Sequence, residues 1–537
     1  MSETTPAGRR TSVKVRIPPA RLASGSIYSA AARRLDADEI LSWNAGSAAL
    51  LRAYGLRIAS VTVQPVAPSG GADRPRPPAN FLLQTEHRNR LLLTCALGAL
   101  SVSLSGRGDL LAAAPSDRDR LKLAIKENND RNSTAAMTEA LHSLCDASPQ
   151  TSLRVAIGEG ARKKPGERGG NPTLYEGQTI GSGPRRYALA VDTVEGTTKS
   201  TLFDHSCGTL LFVTEAAIRP VPDVYFDKCQ LLGVEGVGVA DPLERVVEAV
   251  MEARGTREVN FFALERGRHP IDRMLRLGAN MRIDTDGDAY PVIAAGLQWG
   301  VFEDNLRPLD GVAGNIGGAA EMIASAAGAR YLGVRSSARF CTQGVKTWEG
   351  RYDLKKDEEE VIRSRGFDPA AVYRIEDLVP GIADADGAFV ASAISDNWHI
   401  PGLDAVLVGG NFACVNALFV GSAGTADLYR IAFSYEQPLE ATRAMVTPVL
   451  TRILGMPPAE IPKAVRDAVA DPARAGRLRH EIATSFYTHL AGPPSGAPEP
   501  AGERGLRLDI DQAARSESAE ALAALRAVMD AAPDWFA

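Results

Sequence analysis

The chain has 537 residues, of which 45% are hydrophobic, enough for a large buried core and for more than one structural unit. Its 60 Lys and Arg stand against 65 Asp and Glu, a formal charge of -5, which argues against a basic nucleic-acid surface. The six cysteines (Cys95, Cys145, Cys207, Cys229, Cys341 and Cys414) form no CxxC pair. Reduced thiols are therefore expected, rather than a disulfide framework or a zinc cluster.

The first residues, MSETTPAGRR, are polar and lack the apolar core of a secretory signal. The longest apolar stretches, such as Leu91 to Val102, are too short to span a bilayer. A cytoplasmic protein without membrane partners is expected. Residues 1–26 read as a disordered N-terminus. Residues 27–78 read as an N-terminal extension, with a helical pattern over Ala37–Arg52 and a strand, LRIASVTVQPVA. The Pro/Gly-rich break PSGGADRPRPP closes it. Helical periodicity resumes at Leu82–Leu104 and opens a region, 79–435, in which apolar runs alternate with amphipathic segments. LRVAIGEG, YALAVDTVEG, GTLLFVTEA, VNFFAL, DAVLVGG and NALFVGSA read as buried strands, several ending in Gly and acidic residues. That alternation predicts mixed α and β structure, with sheets covered by helices. Residues 436–537 read as a helical C-terminal extension. A linker near 491–505, AGPPSGAPEPAGERG, separates a last helix at Ala513–Ala531.

The segment AVDTVEGTTKS carries the clearest chemistry. An apolar run ends in Asp192, with Glu195, Gly196, Thr197 and Thr198 close behind. A strand ending there delivers two carboxylates to a sheet edge. Gly196 permits a sharp turn, and the hydroxyls and backbone N–H groups beyond it suit a phosphate oxygen. The same letters also fit an acidic turn with a helix cap. Three further acids have similar settings. Glu159 lies in VAIGEG and Glu321 in the glycine-rich GNIGGAAEM. Asp130, in KENNDRNSTAAM, stands just before a helix that Ser133 would cap. Each fits a solvated loop acid, while five carboxylates near Gly-rich turns together suit a hard cation, Mg²⁺ or Mn²⁺. His205 and Cys207 lie close together but match no nucleophile motif, so water is the expected nucleophile.

These motifs resemble, in order, those of the class II, bacterial-type fructose-1,6-bisphosphatases, within the inositol monophosphatase and sugar-phosphatase superfamily. The resemblance runs from about Ile125 to Tyr435. KENNDRNSTAAM carries Lys126 and Asp130, VAIGEG carries Glu159, and IGSG followed by AVDTVEGT carries the acidic loop. VPDVYFDK carries Tyr225 and Lys228, ERGRHP carries Arg268 and His269, DTDGDA carries Asp286 and Asp288, and IGGAAE carries Glu321.

The resemblance implies a layered αβαβα fold, a homo-oligomer and a small phosphorylated sugar or polyol as substrate. It implies metal ligands at Asp130, Glu159, Asp192, Glu195 and Glu321, together with the backbone carbonyl of Val194. Asp130, Glu159 and Thr197 would take part in catalysis. Lys126, Gly196, Thr197, Thr198, Tyr225, Lys228, Arg268, His269, Asp286 and Asp288 would bind substrate. The chain departs from the family at GEGARKK, where Ala161 and Lys163 stand in place of two acids, and at Thr193, where relatives carry Pro. Lost acids there mean a changed substrate or weakened catalysis. Two alternatives to a sugar phosphatase follow: a non-catalytic sugar-phosphate-binding or regulatory relative, and an inositol or polyol phosphatase.

Overall fold

The protein is described from a computed structural model covering residues 32–66, 81–104, 115–158, 173–264, 276–284, 286–298, 308–316, 318–340, 354–408 and 412–435. Its strands are β1 (Arg33–Arg34), β2 (Leu56–Val66), β3 (Thr151–Ile157), β4 (Thr179–Ile180), β5 (Arg185–Glu195), β6 (Gly208–Thr214), β7 (Phe226–Leu232) and β8 (Asn260–Leu264). They continue with β9 (Asn280–Asp284), β10 (Gly311–Ile316), β11 (Val334–Phe340), β12 (Val372–Arg374), β13 (Gly387–Ala393), β14 (Leu407–Val408), β15 (Phe412–Gly421) and β16 (Ala426–Tyr435). The helices are α1 (Ala37–Gly46), α2 (Ala48–Ala53), α3 (Leu82–Glu86), α4 (Arg88–Ser103), α5 (Pro115–Ala147) and α6 (Thr197–Ser200). After them come α7 (Leu243–Arg254), α8 (Ala289–Leu297), α9 (Ala319–Leu332), α10 (Leu354–Ser364) and α11 (Ile375–Leu378).

Two mixed sheets form the frame. The larger runs β1-β2-β16-β15-β13-β6-β5-β3-β4, with β14 beside β15. Its β3–β5 pair is parallel, while β5–β6, β6–β13 and β13–β15 are antiparallel. The smaller runs β12-β11-β7-β10-β8-β9 and is parallel at β10–β8 and β8–β9. β6 and β13 are buried at every position, and their sequences GTLLFVT and GAFVASA are largely apolar and carry no charge, as strands covered on both faces require.

Helices supply that cover. On one face of the larger sheet, Leu92 and Leu97 of α4 and Leu141 of α5 share a core with Leu189, Leu211 and Val390. α4 is buried from Leu91 through Ser103, so it needs no polar face. On the other face, Ile293 of α8 and Ile323 of α9 pack with Leu210 and Phe212, and also with Val312 and Phe340 of the smaller sheet. α8 and α9 therefore lie where both sheets meet one core. Val246, Val247 and Val250 of α7 pack with Cys229, Leu231 and Phe261 of the smaller sheet in a separate cluster.

One local reading is corrected. Asp130 does not precede a helix, and Ser133 does not cap one: both lie inside α5, which is continuous from Pro115 to Ala147. The polar run KENNDRNST looked like a helix start because Ser, Asn and Asp favour caps. Here tertiary partners take those side chains instead. Ser133 Oγ donates to the Thr193 carbonyl at 2.6 Å, and Asn129 Nδ2 donates to Ser200 Oγ at 2.9 Å. α5 is thereby tied to the acidic loop along its polar stretch.

The segment 27–78 contributes α1, whose Asp36 and Glu39 form a reciprocal capping box, and β2, which pairs antiparallel with β16. Residues 1–26, the helical region from 436 onward and the linker near 491–505 lie outside the described residues. Cys95, Cys145, Cys207, Cys229 and Cys414 are buried free thiols, and Cys341 lies outside the described residues. No helix among the described residues is long and apolar enough to cross a membrane.

Candidate active site

Strand β5 ends on the acidic loop. Residues three apart on a regular strand point to opposite faces. Between Asp192 and Glu195 the pairing with β6 shifts, so Asp192 faces Leu210 while Glu195 faces Gly208. This bulge inserts an extra residue and turns both carboxylates toward one place. The chain then bends through Gly196, whose φ of 72° suits glycine, and enters α6. The loop is braced internally. The Val194 N–H donates to Asp192 Oδ1 at 2.9 Å, and Thr197 Oγ1 donates to the Val194 carbonyl at 3.0 Å.

Glu321, in the first turn of α9, completes a cluster. Asp192, Glu195 and Glu321 each offer an oxygen, all within 4.8 Å of one another, and all three residues are buried. The Ala289 N–H, at the start of α8, donates to Glu195 Oε1 at 3.0 Å. Gly287 keeps this approach open: its φ is +71°, and a Cβ there would stand 3.2 Å from Glu195 Oε1. Beside the cluster, Lys228 Nζ lies 3.0 Å from Asp288 Oδ1, both side chains being only 1% exposed. Lys228, paired with Asp288, also acts on Glu195 and Glu321.

The deficit of positive charge shows in the acids. Burial, then the nearby Asp288, push the Glu195 carboxyl up to about 7, although the Ala289 N–H and Lys228 oppose the rise. Glu321 is pushed well above the usual carboxylate range by burial, then by Glu195 and Asp288. A divalent cation with oxygen ligands fits this donor set, since it would relieve the repulsion and needs no Cys or His.

Other residues named from the sequence lie around the cluster. Asp130 and Lys126 are half-buried on α5, and Asp130 is not one of the three mutually close carboxylates. The Thr198 N–H donates to Asp286 Oδ2 at 3.3 Å, joining α6 to the segment before α8. Tyr225 is half-buried at the entrance to β7. Glu159, Arg268 and His269 lie outside the described residues, as does GEGARKK with Ala161 and Lys163.

A second charged group adjoins the first and had no assigned role in the sequence reading. Lys199 Nζ lies 2.6 Å from Asp284 Oδ2, with both side chains buried. His205 Nε2 lies 2.8 Å from the same oxygen, and His205 Nδ1 lies 2.9 Å from Asp204 Oδ1. The hydrogen bond from His205 holds the Asp204 carboxyl down at about 2. Burial pushes Asp284 upward, but the His205 hydrogen bond and the Lys199 charge outweigh it and leave this acid below its ordinary value. The sequence signal was present in DTDGDA, which places an acid at every second position and begins with Asp284.

A comparison with curated proteins gives no match. The family profile described as bacterial fructose-1,6-bisphosphatase, glpX-encoded, matches residues 112–427. That span is more than half of the 537 residues and contains the whole carboxylate cluster. The chain belongs to the GlpX-type bacterial fructose-1,6-bisphosphatase family.

Proposed function

We propose that this chain is a metal-dependent phosphomonoester hydrolase acting on a sugar bisphosphate, with a substrate preference that departs from fructose 1,6-bisphosphate in a specialised pathway. The buried, cation-deficient group of Asp192, Glu195 and Glu321, in a chain of this family, carries the reading. Members of the family generally depend on a divalent metal, and Mg²⁺ or Mn²⁺ suits the oxygen donors here. Asp192, Glu195, Glu321 and the Val194 carbonyl would hold the metal, with Asp130 and Glu159 completing the set. A bound divalent ion supplies charge neutralisation at the phosphate and a water of lowered pKa.

The side chains divide the remaining tasks. Thr197 gives its hydroxyl hydrogen to the Val194 carbonyl, so its oxygen is left to accept a hydrogen bond from the attacking water and orient it. The Lys228 ammonium offsets Asp288 and lowers the local negative potential that a phosphate would meet. Asp286 and Asp288 accept hydrogen bonds from sugar hydroxyls. Gly196 and Thr198 let the loop backbone approach a phosphate. Lys126, Tyr225, Arg268 and His269 bind the remaining phosphate and sugar oxygens. Burial holds these groups in position and excludes bulk water, which strengthens their electrostatic action.

The packing of helices on both sheets supports an αβαβα layering over the catalytic region 79–435, with 27–78 and 436–537 as extensions. The same reading makes the protein a cytoplasmic homo-oligomer. Phosphate release from a panel of sugar monophosphates, sugar bisphosphates and inositol phosphates, with Mg²⁺ or Mn²⁺ present, tests the function. Release from a sugar bisphosphate supports it. Release from inositol phosphates alone moves the substrate to a polyol, and release from none overturns the hydrolase assignment.

A further inference from the structure

The group around His205 has a geometry that a solvated surface histidine would not need. The ring stacks on Trp398, with centroids 3.6 Å apart and planes 6° from parallel. Its two nitrogens face two different carboxylates, Asp204 at 2.9 Å and Asp284 at 2.8 Å. Each carboxylate can accept a hydrogen bond from the ring nitrogen it faces, so the ring is held at both edges while the indole covers one face.

The elements joined are those that shape the substrate side of the site. Asp204 follows α6, and its N–H donates to the Lys199 carbonyl at 3.0 Å. Asp284 ends β9, two residues before Asp286. Trp398 comes from the segment after β13, where its N–H donates to Ser206 Oγ at 3.0 Å. Arg282, on β9, lies 5.5 Å from the Trp398 ring centroid. Lys199 reinforces the connection from inside, paired with the oxygen that also meets His205. Beyond Asp284 the chain reaches Asp286, which accepts from Thr198, then Gly287 beside Glu195, then Asp288 on Lys228.

We propose that His205 is a positioning residue. Held between Asp204 and Asp284 and stacked on Trp398, it clamps the end of β9 to the acidic loop and fixes Asp286 and Asp288 for the sugar. The link to the sugar rests on the phosphatase reading above, whereas the clamp does not. The segment itself reaches the loop through Asp286, which accepts from the Thr198 N–H, and through Ala289, whose N–H donates to Glu195. Asp284 is the anchor that converts those bonds into a fixed geometry.

Hydrogen exchange of the full chain, free of metal and substrate, tests the clamp. His205→Phe keeps a ring on Trp398 but loses both donors. Exchange at the amides of Asp286 to Ala289 should rise about tenfold, while the amides of β13 keep their protection. His205→Gln retains one donor and should give a smaller rise, and it serves if the Phe variant fails to fold. Unchanged exchange at these amides in a folded variant overturns the clamp. A second arm uses, with Mn²⁺, the sugar bisphosphate of the panel above from which the wild type releases phosphate fastest. Positioning of the sugar predicts that KM rises about tenfold while kcat falls much less. A loss confined to kcat, with KM unmoved, overturns the positioning role. Absence of phosphate release by the wild type would remove the phosphatase reading and leave the exchange result to decide the clamp.

Discussion

Two acidic groups lie side by side in this protein and behave oppositely. Around Glu195, the buried acids Asp192, Glu195, Glu321 and Asp288 gather near the ammonium of Lys228. Around His205, the acids Asp204 and Asp284 meet His205 and Lys199. In the first group Glu195 and Glu321 are pushed upward; in the second Asp204 and Asp284 are held down. Asp284 is buried like Glu195 and Glu321, whereas Asp204 is more than half exposed. Asp284 is therefore the fair comparison: burial pushes it up too, but His205 and Lys199 hold it down, so the local charge decides the direction. A balanced group needs nothing further and can serve as a fastening. An unbalanced one is prepared for a cation from outside the chain.

The most severe way to break the comparison is to remove a charge from the unbalanced group. Asp192→Asn keeps the shape of the loop and deletes a ligand. Phosphate release should fall by about 10²- to 10⁴-fold, while circular dichroism remains that of a folded chain. Near-normal turnover would mean that the acidic loop is not the reaction centre. A second test removes the Lys228 ammonium. Lys228→Met leaves Asp288 buried and unpaired, which should cost about 3–5 kcal/mol in urea unfolding of the metal-free protein. Adding Asp288→Asn should recover much of that loss. Unchanged stability in the single variant would show that the pair lies in solvent-like surroundings.

A gentler test uses pH. Glu195 titrates near 7 in the fold against an ordinary 4.5. Across that window the folded chain retains a proton that the unfolded chain has lost. The metal-free fold should therefore lose stability as pH rises from about 5 to about 7.5. A metal needs the ionised carboxylate, so Mn²⁺ affinity should rise across the same window and level off above it. Thermal melts with and without Mn²⁺ read both effects, and a Tm that climbs with pH in the stripped protein would reverse the sign. The smallest effect belongs to an exposed pair. Arg335 and Glu235 lie 2.6 Å apart with 56% and 68% of their side-chain surface open. Arg335→Ala should shift unfolding by no more than about 0.5 kcal/mol. A loss comparable to that of Lys228→Met would show that simple ion pairing, rather than burial, sets the scale.

Much of this site is legible in the sequence because strand ends are written plainly. YALAV running into Asp192 announces a buried strand that stops at an acid, and Gly196 announces the turn. The bulge between Asp192 and Glu195 is not legible, since it comes from pairing with β6 rather than from the letters of β5. The misread start of α5 has a related cause. Asn129, Ser133 and Thr134 look like cap residues, but they serve the acidic loop across 59 to 71 positions of sequence. His205 was passed over because it was tested only as a nucleophile. Its partners Asp284 and Trp398 lie 79 and about 190 residues away, and no local pattern joins them. The apolar run of β6 reads as a buried strand, whereas β13 is not singled out by its sequence and the joining of β2 to β16 depends on a pairing between distant segments.

The central claim is that the unbalanced carboxylates are a metal site used for phosphate-ester hydrolysis. Its most direct test is a Mn²⁺ titration of chelator-stripped full chain, following bound metal and phosphate release from a sugar bisphosphate in the same sample. The account predicts negligible release at the start, a rise with each increment of metal, and saturation as the site fills. Release that is already maximal in the stripped protein, or metal binding that fills without any release, would contradict it.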